Sequence, residues 1–185
     1  MRSVFIAFTL KNSSVSEFFV SLANYLSRTH QVILITHANE EHSFKLNRTI
    51  KVFQWPTKRP KTLKDLFFLL KLIRHYKPRT IIGNFAAVNL FMIGGYMMGV
   101  KNRIAWYHTL TTQLEENKIL KIRKRFFYKL ATKVVANSVA GELDLQENFG
   151  LPASKIEVVN NAVIDPEIKG EINFNNIVLQ VDYIK

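Results

Sequence analysis

At 185 residues the chain is long enough for one domain with a core that folds unaided. It contains no cysteine, which excludes disulfides and thiolate metal sites and suits a reducing compartment. The formal net charge of +12 points to a polyanion partner: nucleic acid, an acidic membrane leaflet or a phosphorylated ligand.

The first apolar run, Val4 to Phe8, has strand length and too little extent for a signal peptide. Lys11, Asn12, Ser13 and Ser14 break it. Val15, Phe18, Phe19, Leu22 and Leu26 then recur at the spacing of one helix face. Ser14 followed by Glu17 reads as a capping box, which places the helix start at Ser14. Gln31 to Thr36 is a second strand. Two short apolar strands joined through a helix favour a parallel pair, and the loop after the first strand then meets a helix N-terminus that suits an anion.

Ala38 to Asn47 is a polar loop, and Thr49 to Trp55 alternates as a strand before Pro56. Thr57 to Lys61 is a basic connection. Thr62 to Tyr76 is a helix whose predicted inner face is Leu63, Leu66, Phe67, Leu70 and Ile73, widened by Phe68, Leu69 and Leu72. Thr80 to Asn84 reads as a short buried strand and Ala86 to Gly99 as an apolar helix. A membrane span competes there, because Thr80 to Val100 lacks charge and is just long enough to cross a bilayer; Asn84, Asn89 and four glycines weigh against it. Arg103 to Tyr107 is a strand ending at His108, followed by a polar loop, Thr109 to Asn117. Its adjacent carboxylates, Glu115 and Glu116, read either as a general base or as solvated loop residues. Lys118 to Thr132 is a helix expected to turn Ile119, Ile122, Phe126 and Leu130 inward and its bases outward. Lys133 to Asn137 is a strand, Ser138 caps a helix ending near Gly150, and Ile156 to Val159 is a short strand.

Strands alternating with helices predict an α/β fold: a Rossmann-like, doubly wound, mostly parallel sheet with helices on both faces. Open sheets of this kind bind ligands at the carboxyl ends of their strands. That rule selects His108, Asn84, Asn137 and Ser138, and the anion argument selects Lys11, Ser13 and Ser14; for the asparagines and serines, plain turn or cap chemistry is the competing role. Asn161 follows the last strand, where it holds a loop. No metal-ligand spacing, P-loop or GxSxG pattern occurs.

The charge is clustered. Lys58, Arg59, Lys61, Lys64, Lys71, Arg74, Lys77 and Arg79 share their window with one acid, Asp65. Lys118, Lys121, Arg123, Lys124, Arg125, Lys129 and Lys133 have none among them. A basic helix with Phe126 and Phe127, beside another with an over-wide apolar face, suits docking on an anionic membrane surface, where each base contributes about 1 kcal/mol. No helix-turn-helix or ribonucleoprotein signature accompanies the charge, so nucleic acid is the weaker partner.

Five segments, in order, resemble the N-terminal half of a GT-B family 4 glycosyltransferase. They are Leu22 to Thr36, Lys77 to Ile82 (with Arg79 where the family has an acid), Ala105 to His108, Val134 to Ser138, and Lys155 to Val163. The resemblance implies an acceptor-binding Rossmann-like domain over residues 1–165, with 166–185 a linker and the first strand of a missing donor-binding domain. It implies sugar transfer from a nucleotide-sugar co-substrate with no metal or other cofactor, to a sugar or lipid-linked acceptor, in cell-envelope or surface polysaccharide synthesis. His108 would meet the reacting sugar or orient the acceptor. Lys11, Ser13, Ser14, Asn84, Asn137, Ser138 and Asn161 would bind substrate. The donor-binding E-x7-E segment has no counterpart here, so the expectation is a cytoplasmic fragment, peripheral at the inner face of the membrane and inactive alone. The alternative is a non-catalytic, membrane-recruiting subunit of a split transferase. Ser13-Ser14 stands where the family carries Gly-Gly, Ala162 replaces a Gly, and Ile164 an Asp.

Overall fold

The computed structural model describes residues 2–37, 43–58, 62–108 and 118–159. The strands are β1 (Ser3–Ala7), β2 (Gln31–Thr36), β3 (Lys51–Gln54), β4 (Thr80–Gly83), β5 (Asn102–Tyr107), β6 (Lys133–Ala136) and β7 (Ile156–Val158). The helices are α1 (Ser14–Leu26), α2 (Leu63–Tyr76), α3 (Val88–Met97), α4 (Lys118–Leu130) and α5 (Val139–Phe149). The strands form a seven-stranded sheet in the order β3-β2-β1-β4-β5-β6-β7, and every neighbouring pair is parallel.

Strand alternation divides the core into two layers. Phe5, Ala7, Ile33, Ile35, Ile81, Ala105, Tyr107 and Val134 face one cluster, which α2, α3, α4 and α5 complete. Val4, Ile6, Val32, Leu34, Ile82, Ile104 and Trp106 face the other, where α1 supplies Phe18, Phe19, Leu22 and Leu26. The β1 and β4 strands are buried along their length, and β2 at every position but Gln31, as both-faced burial of a parallel sheet requires. Gly95 lets α3 lie close on the sheet: a Cβ there would stand 2.2 Å from Ile81 Cδ1.

The structure corrects several expectations. The α1 cap is Ser13, not Ser14: Ser13 is extended, and its Oγ accepts the Ser16 N–H at 3.2 Å, which leaves Ser14 as the first helical residue. No helix among the described residues is long and apolar enough to cross a membrane. The Thr80–Val100 stretch is instead β4, a 3₁₀ turn (Phe85–Ala87) and α3. On α2 the buried residues are Asp65, Leu69, Leu72 and Ile73, while Leu63 and Phe67 are 72% and 68% exposed.

On α4 Leu130 packs against the core and Arg123, Arg125 and Lys129 point outward as expected, but the other three apolar residues do not turn inward. Ile119, Ile122 and Phe126 face solvent, and Tyr128 is the buried anchor, edge-on to Tyr107 and Phe149. Two residues of α-helix turn about 200°, so seating Tyr128 carries Phe126 to the outside.

Candidate functional site

The carboxyl ends of β1, β4 and β5 lie side by side, because β4 is the strand between the other two. The sheet reverses its winding at β1 and β4, the position where open α/β sheets form a ligand crevice. Two cavities open there.

The first, of about 650 Å³, is bounded by the loop after β1 and the turn after β4, and includes Lys11, Ser13, His37, Trp55, Lys58, Asn84 and Phe85. Its β1 loop is held in place: the Leu10 N–H donates to Thr36 Oγ1 at 3.0 Å, and the Ser16 hydroxyl donates to the Thr9 carbonyl at 2.7 Å. Asn84 is 1% exposed, and neither its Oδ1 nor its Nδ2 has a hydrogen-bond partner among the described residues. A buried amide left unmatched costs about 1–3 kcal/mol, so it is a group held ready for a ligand or water. Phe85 follows with φ at 46°, the left-handed region that a bulky side chain rarely occupies.

The second cavity, of about 630 Å³, lies between α2, α3, α4 and the end of β5. Leu63, Leu66, Ile93 and Phe127 line it, with His108, Arg123, Lys124 and Tyr128. Phe85 and Ala86 are common to both cavities. The His108 ring stacks on Phe85 at 4.4 Å and 16°, with Trp106 at 6.4 Å and Phe19 also at 6.4 Å. Burial among these rings lowers the imidazole pKa to about 4, so it is neutral at pH 7. Its Nε2 is buried without a partner among the described residues. A neutral imidazole can accept or donate one hydrogen bond there but brings no charge.

Behind the second cavity lies a buried carboxylate. Asp144 is 8% exposed, accepts a short hydrogen bond from the Tyr107 hydroxyl and another from Asn148 Nδ2 at 2.6 Å. Burial, and then this carboxylate, hold the Tyr128 phenol well above its ordinary range. Burial lowers the Lys124 pKa; Asp144 opposes that shift and Arg123 adds to it.

Of the residues expected from sequence, Lys11, Ser13 and Asn84 share the first cavity, and His108 lies in the second. Ser14 is exposed on the first turn of α1. Asn137 and Ser138 stand at the carboxyl end of β6, where Ser138 Oγ accepts the Gly141 N–H at 3.1 Å as the α5 cap. Asn161, Glu115, Glu116 and the 166–185 segment lie outside the described residues. Sequence reasoning left out Phe85, Trp55 and the Tyr107–Asp144 pair. The only sequence signal for Phe85 is its place just past a strand end. No group of three or more His, Asp or Glu placed to hold a metal occurs among the described residues.

This arrangement is a Rossmann-like half of the GT-B fold, with its ligand crevice at the strand ends. Residues 15–165 match Glycosyltransferase Family 4, and the chain belongs to that family. Comparison with curated proteins gave no match. Among solved structures, the S. aureus MnaA–UDP co-structure is similar with a TM-score of 0.64 at 14% identity, over 95% of this chain and 51% of that one. HepE of Anabaena, in complex with UDP and glucose, gives 0.62 at 16% identity, over 88% and 45%. Sucrose-phosphate synthase from Thermosynechococcus elongatus gives 0.63 at 11%, over 86% and 48%. Identities this low establish a shared fold, and the chain spans about half the length of these proteins.

Proposed function

We propose that the chain is the acceptor-binding half of a sugar transferase. The acceptor, a sugar or a lipid-linked sugar, enters the crevice at the ends of β1, β4 and β5, and a nucleotide-sugar held mainly by a second domain or subunit faces it. The observation that carries this reading is the convergence of Asn84 and His108, each with buried polar atoms unmatched, on one rim of a family 4 domain. His108 and Asn84 are the residues assigned to contact the reacting sugar. Lys11 and Ser13 meet phosphate or acceptor, while Asn137, Ser138 and Asn161 remain substrate-side residues of the wider rim. The pathway this suits is cell-envelope or surface polysaccharide synthesis. The test is transfer of labelled sugar from a set of nucleotide-sugars, by this chain alone and with a donor-binding half joined or added. Transfer only in the second case is expected. A complete protein that binds nucleotide-sugar and membranes yet transfers nothing would favour the recruiting-subunit alternative.

Peripheral membrane docking in a cytoplasmic setting belongs to the same proposal. It is supported by the solvent-facing Ile119, Ile122 and Phe126 of α4, flanked by exposed Arg123, Arg125 and Lys129. Flotation with vesicles should show binding that rises with anionic lipid and falls with salt, and replacing Ile122 and Phe126 by glutamine should lower it about tenfold. Equal binding to neutral and anionic vesicles would reject the electrostatic account.

A further inference from the structure

The groove between α2, α3 and α4 combines apolar walls with two basic side chains, a lining suited to an amphiphilic anion. Two of its hydroxyls are already engaged, with Thr62 donating to Asp65 Oδ2 at 2.7 Å and Tyr107 donating to Asp144, while His108 Nε2 and Trp106 Nε1 have no partner among the described residues. The walls are carbon: Leu66, Leu90, Ile93 and Phe127. Leu63, which also lines the groove, is 72% exposed, and Phe67 one turn on is 68% exposed, so α2 presents two apolar side chains to solvent beside it. Arg123 and Lys124 complete the lining, and neither makes a hydrogen bond or ion pair with a described residue. Among the described residues no acidic side chain lines the groove with them; Asp144 lies behind it and acts on Lys124.

We propose that this groove holds an amphiphilic acceptor: an apolar chain lies along Leu63, Leu66, Ile93 and Phe127, and its phosphate or pyrophosphate sits against Lys124 and Arg123. The inference deepens the acceptor-domain reading and rests on it. The size fits: about 630 Å³ has room for roughly twenty water-sized groups at about 30 Å³ each, which is a chain of some fifteen carbons with one phosphate. Exposed apolar side chains flank two lining residues: Phe67 lies one turn on from Leu63, and the Phe126 ring meets Phe127 at 5.3 Å. His108 lines the same groove, so the reacting end of such an acceptor is assigned to its side.

The test titrates the purified chain with farnesyl phosphate below its micelle concentration, with farnesol and with inorganic phosphate, by calorimetry and by tryptophan fluorescence, to which Trp55 and Trp106 both contribute. Farnesyl phosphate should bind at least tenfold more tightly than farnesol and a hundredfold more tightly than inorganic phosphate. Lys124→Gln should erase the advantage over farnesol, and Arg123→Gln, at an exposed site, should reduce it. Leu63→Gln should weaken both chain-bearing ligands about fivefold. Equal affinity for farnesyl phosphate and inorganic phosphate, equal affinity for farnesyl phosphate and farnesol, or indifference to Leu63→Gln would overturn the assignment. The two readings fail differently. Transfer to a soluble saccharide without farnesyl phosphate binding ends this inference alone. Groove-dependent binding in a complete protein that transfers nothing ends the transferase reading and leaves the groove's ligand class standing.

Discussion

Replacing His108 by alanine should lower sugar transfer by the complete transferase about 10²–10³-fold, the usual loss when one preorganised hydrogen-bonding group leaves a water-poor site. The wild-type rate should not fall through the ordinary histidine range as pH drops from 7 to 5, because burial holds the imidazole pKa near 4 and no proton is taken up in that interval. Stability behaves otherwise. In the unfolded chain the same imidazole titrates near 6.5, so between about 6.5 and 4 the unfolded state binds a proton that the folded state refuses. Folding stability therefore falls as pH falls through that window, by up to about 3 kcal/mol at 1.36 kcal/mol per unit. Urea midpoints at pH 7, 5.5 and 4.5 should show this slope in the wild type and a shallower one in His108→Gln. Parallel slopes in the two proteins would mean that His108 is not buried as described.

Asp65→Ala should cost about 3 kcal/mol, read as a fall of about 10 °C in the melting temperature of a chain this size. Asp65 is fully buried among hydrogen-bond donors. Oδ1 accepts the Thr57 N–H at 3.2 Å, while Oδ2 accepts the Thr57 hydroxyl at 2.8 Å, the Thr62 N–H at 3.1 Å and the Thr62 hydroxyl at 2.7 Å. The Asp65 N–H donates back to Thr62 Oγ1, which closes a capping box at the start of α2. Alanine removes the shared acceptor of all four bonds and opens the capping box, leaving the donors of half-buried Thr57 and exposed Thr62 to water. Asp65→Asn keeps the shape and part of the acceptance, so its loss should be roughly half. Thr62 and Leu63 line the groove, so the alanine variant should also bind groove ligands less well than its remaining folded fraction explains. A melting temperature within 2 °C of wild type would show that the box contributes little.

Strand positions and the parallel fold were legible because each strand is a short β-branched run separated by a helix-length interval. The period of an apolar stripe is also visible in a sequence, but its direction is not. The α4 sequence has apolar residues on two sides, Ile119, Ile122 and Phe126 on one and Phe127 and Tyr128 on the other. What decides between them is the partner: Tyr107 and Phe149 sit where Tyr128 can reach them, and neither is near it in sequence. Asp65 was equally opaque. In the chain it is one acid among bases, and only the fold back of Thr57 onto α2 makes it a hub. The rim residues Lys11, Ser13, Asn84 and His108 could be named from the rule that parallel strands present their carboxyl ends. Their division between two cavities could not, because it depends on the left-handed turn at Phe85.

That turn has a thermodynamic corollary. One aromatic ring is the party wall between the two chambers. A guest that tilts the ring from one side alters the room next door. The two occupancies are therefore linked equilibria, and whatever factor the first guest applies to the second, the second must return to the first.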